Sequence, residues 1–258
     1  MNEQLDKLNK QLNDKNLTNT NSPIIHRFAH EGDADSIIIY IEGLLEESEI
    51  KFITEYLDSM DDFERGASYY GQIRRHQKWY QESGHYFSKS WKNQEHDRWI
   101  SKTYDDDLKK IQTYVEVRTN EIIDFYNDSN KNECKTTLDH ARFNSCLINK
   151  YRDTKDSIRH HRDTPTSFGE YPTICGLSVG AERTIEFRRV LYDVTNPSKL
   201  KEDHDNSKDN FSITLESGSL LIMAGSSQKY FSHAVPPKPN PIHEGTRYSM
   251  TFREYLVK

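Results

Sequence analysis

Two histidines and one carboxylate are enough to hold a divalent metal, and the sequence contains one such set. The run Ser157-Ile-Arg-His-His-Arg-Asp163 carries the pattern His161-Arg162-Asp163. On an extended strand residues i and i+2 share a face. His161 and Asp163 can therefore meet one ion while Arg162 points away, and His160 has the wrong parity to join them. A second imidazole is available far downstream, in Gln228-Lys-Tyr-Phe-Ser-His233-Ala-Val-Pro-Pro. Two imidazoles and a carboxylate on one side of a metal leave three coordination positions open. Non-haem Fe(II) oxygenases use that arrangement, and a zinc hydrolase can use a similar donor set. His-x-Asp is common by chance, so the choice needs support from elsewhere.

That support lies in the C-terminal run Arg247-Tyr-Ser249-Met-Thr251-Phe-Arg253. As a strand it places Arg247, Ser249, Thr251 and Arg253 on one face. If that face is interior, its two guanidinium groups need anionic partners, because a buried charge left without one costs roughly 3–5 kcal/mol. A dicarboxylate answers both through forked hydrogen bonds. Asn149 and Tyr151 share a face of the strand before His-x-Asp and can add an amide and a phenol. A zinc hydrolase has no evident use for the paired arginines.

The surrounding pattern supplies elements that can position these groups. A β-branched run at 36–40 reads as a short buried strand. Helical spacing follows over 46–60, with Ser48 as candidate N-cap, and again over 104–126, with Leu108, Ile111, Val115, Ile122 and Phe125 as its apolar stripe. The segment 63–99 is dense in aromatic and basic residues and has no clean period. Beyond Phe143, strands are predicted at 145–151, 157–162, 173–178, 184–189, 211–215, 219–223, 232–235 and 247–253, with a charged excursion at 196–210. Two helices followed by many short strands imply an α+β fold with a jelly-roll core. Residues 1–30 read as a polar, flexible tail, and 31–258 as one domain.

Composition narrows the class. Fifteen Tyr and eleven Phe argue for a real core, while the net charge of −6 excludes a protein that coats nucleic acid by bulk charge. Any nucleic-acid contact must be local. Cys134, Cys146 and Cys175 form no close pair, which points to a reducing, intracellular compartment. No apolar run reaches the ~20 residues of a membrane span.

Taken in order, the pieces resemble the AlkB family of Fe(II)/2-oxoglutarate dioxygenases. The matching elements are Asn149-x-Tyr151, His161-Arg-Asp163, Leu177-Ser-Val-Gly-Ala181-x-Arg183-x-x-x-Phe187-Arg188, Gly218-Ser-Leu-Leu-Ile-Met223, His233, and Arg247-x-x-x-Thr251-Phe252-Arg253. A further stretch, Arg75-His-Gln77-Lys-Trp79-Tyr80-x-x-x-Gly84-x-Tyr86-Phe87-Ser88, is similar to the segment that grips the substrate nucleotide in that family, a lid over about 66–92 here. The resemblance implies a double-stranded β-helix with flanking N-terminal helices. It also implies Fe(II) on His161, Asp163 and His233. For 2-oxoglutarate it implies a site with Arg247 at the distal carboxylate, Arg253 and Asn149 at the end near the metal, and Tyr151, Ser249 and Thr251 beside them. Activity would consume O2 and strip N-alkyl groups from nucleobases of DNA or RNA, releasing aldehyde, succinate and CO2. Arg75, Gln77, Trp79, Tyr80 and Tyr86 would contact the substrate, with phosphates meeting Arg74, Arg75 and Lys78 and bases stacking on the rings. A single strand and a monomer are the expected partner and state. Two departures stand out. Ser249 stands where the family often has Asn. After Asp163 come Thr164-Pro165-Thr166 instead of an acidic residue that helps read the base, which keeps open a protein or small-molecule substrate.

Overall fold

The computed structural model describes residues 22–61, 63, 67–68, 71–82, 100–131, 136–196, 199–238 and 245–256. In chain order its strands begin with β1 (Ile24–Phe28), β2 (Ser36–Ile41), β3 (Ala67–Ser68), β4 (Gly71–Gln72), β5 (His76–Gln81), β6 (Ser145–Tyr151) and β7 (Ile158–His161). They continue with β8 (Ile174–Gly180), β9 (Arg183–Arg189), β10 (Phe211–Leu215), β11 (Ser219–Gly225), β12 (Phe231–Val235) and β13 (Arg247–Arg253). The helices are α1 (Glu47–Asp58), α2 (Asp106–Ser129) and two single turns, α3 (Pro165–Phe168) and α4 (Ser227–Tyr230).

Seven strands form one sheet in the order β1-β2-β11-β8-β13-β6-β5, and four form a second, β10-β9-β12-β7. All pairings within the two sheets are antiparallel. The fold is a double-stranded β-helix, a jelly roll with helices on one side. Among the described residues no helix is long and apolar enough to cross a membrane.

The large sheet separates two cores. Strand β2 is buried on both faces. Ile37, Ile39 and Ile41 pack with α1 and α2 through Ile53, Leu57, Leu108 and Val115. Ile38 and Tyr40 point between the sheets, against Phe187, Ile213 and Phe231. Strand β11 divides the same way, Leu220 and Ile222 to the helices and Leu221 and Met223 to the interior. These central strands read as continuous apolar runs because both of their faces are covered.

Several local expectations change. Helix α1 is capped at Glu46, whose backbone N–H donates to the Glu49 carboxylate at 2.7 Å, so Ser48 is not the cap. Helix α2 starts at Asp105, whose carboxylate accepts from the Leu108 N–H. Its stripe closes with Tyr126, 1% exposed, whereas Phe125 is 44% exposed. Strand β1 lies inside the expected tail. It pairs with β2 over five residues, and the His26 and Phe28 rings stack on Phe211. Residues 1–21 of that tail lie outside the described residues. The aperiodic stretch before α2 contains β5, which pairs with β6 from His76↔Lys150 to Gln81↔Ser145. Gly180 ends β8 at φ 91°, where a Cβ would sit 2.2 Å from the Thr246 carbonyl oxygen, so only glycine fits the turn that brings β13 alongside.

Candidate active site

Strands β7 and β12 place His161 directly opposite His233. Their rings lie 4.3 Å apart, centroid to centroid. Asp163 follows β7 by two residues, and the ligand atoms of His161, Asp163 and His233 all lie within 4.8 Å of one another. The His161 Nδ1–H donates to the Arg159 carbonyl at 2.9 Å, since a carbonyl can only accept. That leaves Nε2 with its lone pair, the usual device for orienting a metal-binding imidazole. Asp163 is tied at two points. Its backbone N–H donates to Gln228 Oε1 on α4, and its Oδ2 accepts from Arg253 Nε at 2.5 Å. Burial pushes the Asp163 carboxyl up, but Arg253, His161 and His233 together outweigh it and hold the pKa below the usual value. Burial lowers both histidines, His233 well below its ordinary value, helped by the neighbouring His161. Two neutral imidazoles and one carboxylate are the protonation states a divalent metal requires.

A cavity between the sheets opens beside this cluster. The inward face of β13 lines it with Arg247, Ser249, Thr251 and Arg253, and β6 adds Asn149 and Tyr151. Register explains the grouping, for Arg247 lies opposite Tyr151 and Ser249 opposite Asn149. On the other flank Thr251 faces Gly176 and Ser249 faces Ser178. Arg247 is 2% exposed; its Nη2 donates to the Ser178 hydroxyl at 2.9 Å, and its guanidinium lies over the Tyr151 ring at 5.1 Å. Its Nε and Nη1 have no hydrogen-bond partner among the described residues. A buried guanidinium with free donors in a cavity suits an anionic ligand. Gly176 leaves room, because a Cβ there would meet nothing closer than 3.9 Å.

A family profile described as "2OG-Fe(II) oxygenase superfamily" matches residues 38–253, most of the chain and all of this site. The chain belongs to the 2OG-Fe(II) oxygenase superfamily. Within that superfamily the chain is similar, over part of its length, to AlkB-type proteins. It is 33% identical over 124 residues to the DNA oxidative demethylase ALKBH2 of Arabidopsis thaliana, covering 45% of this chain and 39% of the relative. It is 38% identical over 111 residues to the alpha-ketoglutarate-dependent dioxygenase alkB homolog 3 of Mus musculus, covering 43% and 36%. With the human alkB homolog 3 the identity is 36% over 123 residues, covering 48% and 40%. The chain thus matches well under half the length of these curated relatives. The solved structure of OsALKBH1 shares the fold at TM-score 0.59 and 14% identity, over 90% of this chain and 100% of that one.

The donor set and the free Arg247 donors fit the ferrous ion and 2-oxoglutarate that the superfamily implies. The segment expected to grip substrate is placed differently from the expectation. In β5 alternate residues face opposite ways. Gln77 and Trp79 pair with Asn149 and Leu147 and share their cavity-side face, while Lys78 and Tyr80 point to the helices. Tyr80 is 6% exposed and packs in the helix-side core near Tyr104. Its ring is thus placed on the helix side of the sheet, away from the cavity. Trp79 is buried as well. Lys78 lies over the Phe63 ring, not toward a phosphate. Arg75 is also buried and reaches inward, with Nε donating to Asn149 Oδ1 at 2.7 Å. Arg74 alone of the three basic residues is exposed. Tyr86, with Gly84, Phe87 and Ser88, lies outside the described residues.

Ser178 and Gln228, which hold Arg247 and Asp163, were not singled out from the sequence. Neither residue type signals the role: Ser178 acts through the register of β8 with β13, and Gln228 through the placement of α4 beside Asp163. Arg162 turns away from the metal side as its parity requires, donating to the carbonyls of Lys229 and Lys199.

Proposed function

We propose that this chain is an Fe(II)/2-oxoglutarate oxygenase that removes alkyl groups oxidatively from N-alkylated bases of DNA or RNA. The observation that carries the oxygenase reading is the pairing of the His161–Asp163–His233 cluster with a buried Arg247 whose Nε and Nη1 have no partner among the described residues. The likeness to proteins named as demethylases supports the substrate class.

In this reading His161, Asp163 and His233 hold the metal. Arg247 takes the distal carboxylate of 2-oxoglutarate, steadied by the Tyr151 ring 5.1 Å away. Asn149, Ser249, Thr251 and Arg253 line the rest. When bound, the ion and cosubstrate use O2 to oxidise 2-oxoglutarate to succinate and CO2 and deliver the second oxygen atom to the alkyl carbon. The hydroxylated group then leaves as an aldehyde, formaldehyde for methyl, and the base is restored. The protein orients these partners and excludes water. A base in a duplex must first be flipped out, so a single strand is the favoured substrate. We also assign one monomeric oxygenase domain that takes in β1 and so begins earlier than the expected residue 31, working inside the cell, where Cys146 and Cys175 stay unpaired.

A second reading keeps the oxygenase and exchanges the substrate for a protein side chain or a metabolite. Burial of Trp79 and Tyr80 and the absence of an acid in Thr164-Pro165-Thr166 favour it. Turnover on N-methylated single-stranded DNA and RNA oligonucleotides decides. With Fe(II), ascorbate and 2-oxoglutarate, methyl loss by mass spectrometry together with succinate establishes the first reading. Succinate without methyl loss transfers the assignment to the second. Salt adds a check, since binding that neutralises Z phosphates of a single strand weakens with a slope of about −0.7Z in log salt.

A further inference from the structure

Strand β5 is the edge of the large sheet, and its residues were expected to address substrate. Gln77 on this strand and Arg75 just before it converge on the cosubstrate pocket. Arg75 Nε donates to Asn149 Oδ1 at 2.7 Å, and Gln77 Nε2 approaches the same oxygen at 3.3 Å. Arginine has no acceptor, so the Asn149 atom facing it must be the oxygen. With Oδ1 held by two donors, the Asn149 amide cannot turn over, and its NH2 group is left for the cavity that Asn149 lines. A free asparagine could present either end to a carboxylate, and only the NH2 end attracts it. Arg75 is 9% exposed, and burial is the main influence on its guanidinium. Arg75 directly precedes β5, whose six-residue register with β6 sets Gln77 opposite Asn149.

We propose that Arg75 and Gln77 are positioning residues for 2-oxoglutarate, locking the Asn149 amide so that it donates to the cosubstrate. The proposal rests on the reading that this cavity holds 2-oxoglutarate. It ties the strand beside the substrate to the cosubstrate, so a disturbance of β5 is felt as weaker cosubstrate binding.

The test is calorimetric titration of 2-oxoglutarate into the full chain loaded with Mn(II), which fills the metal site without turnover. Arg75→Met keeps the apolar stem and removes the donors. It is expected to weaken 2-oxoglutarate about tenfold, the scale of one hydrogen bond to a charged partner, with Mn(II) affinity unchanged. Arg75→Lys, which restores one donor, recovers most of the loss. In turnover the KM for 2-oxoglutarate rises and kcat at saturation holds. If Arg75→Met lowers the melting temperature, Gln77→Leu carries the test at a half-buried position, with an expected loss of about threefold. Asn149→Asp keeps an acceptor for Arg75 but removes the donated NH2, so it must weaken binding at least as much as Arg75→Met. Wild-type affinity in folded Arg75→Met and Gln77→Leu overturns the proposal. Failure of the wild-type Mn(II) protein to bind 2-oxoglutarate overturns instead the reading of the cavity on which it depends.

Discussion

The two faces of β13 belong to different chemistries. Tyr248, Met250 and Phe252 turn toward the helices, each no more than 1% exposed, in a core that includes Ile148, Cys175 and Leu177. The one polar tip there, the Tyr248 hydroxyl, donates to Asp58. Arg247, Ser249, Thr251 and Arg253 turn the other way, into a cavity, and leave Arg247 donors without partners among the described residues. The helix-side face is fully covered, whereas Ser249 and Thr251 on the cavity face are only half-buried, and only the first face is finished. A finished face stabilises the fold. An unfinished one costs stability until a ligand completes it, and that contrast is how a site can be told from a core.

The sharpest way to break this contrast is at the metal. His161→Ala is expected to abolish turnover and metal retention, since two donors remain of a set whose ligand atoms lie within 4.8 Å. Thermal unfolding of the metal-free protein should change little, because His161 is half-buried at the edge of its sheet. A large loss of apo stability would mean that the cluster is part of the scaffold.

Phe252→Ala tests the opposite face. Deleting a fully buried ring costs about 3–5 kcal/mol, measured by denaturant unfolding, while 2-oxoglutarate affinity of the folded fraction stays unchanged. A selective loss of affinity at full stability would show that the two faces are not separable.

Arg247→Leu should move the two quantities in opposite directions. Binding of 2-oxoglutarate weakens by at least about tenfold, from the loss of charge-assisted hydrogen bonds. Apo stability holds or rises, because a buried guanidinium with two donors unpaired among the described residues is replaced by an apolar group. Calorimetry and a melting curve of the same sample read both. Reduced apo stability would mean that Arg247 has structural partners that its geometry does not show.

This opposition of faces also explains what was legible in the sequence. Alternation on 247–253 and 145–151 showed which residues share a face, and the strand bounds there hold in the structure. His161 and Asp163 were visible through the same parity; His233 was visible as a candidate third ligand, and the resemblance tied it to them. The burial of 76–81, His-Gln-Lys-Trp-Tyr-Gln, was not legible, because the run is polar in type yet largely covered. Lys78 lies over Phe63 and Arg75 is held by Asn149, contacts that follow from register and not from composition. Phe125 and Tyr126 show the same limit. Both fit an apolar stripe, and only docking of α2 on the sheet decides which one is buried.

The smallest expected effect asks whether the two faces open together. Cys146 and Cys175 lie in the helix-side core, and burial pushes both thiols up, Cys175 to about 12 with the Thr119 hydroxyl offsetting part of the rise. The thiolate is the reactive form, so a thiol reagent at neutral pH should reach these two only through opening of the fold. Saturating the opposite face with 2-oxoglutarate then slows their labelling if that opening also destroys the cosubstrate site. At ten times its dissociation constant, ligand should slow the reaction about tenfold, the mass-action factor for a state that only the closed form can bind. Labelling that ignores the ligand would instead mean that the helices lift from the large sheet while the cavity stays intact, and the two faces would be separate units of stability as well as separate chemistries.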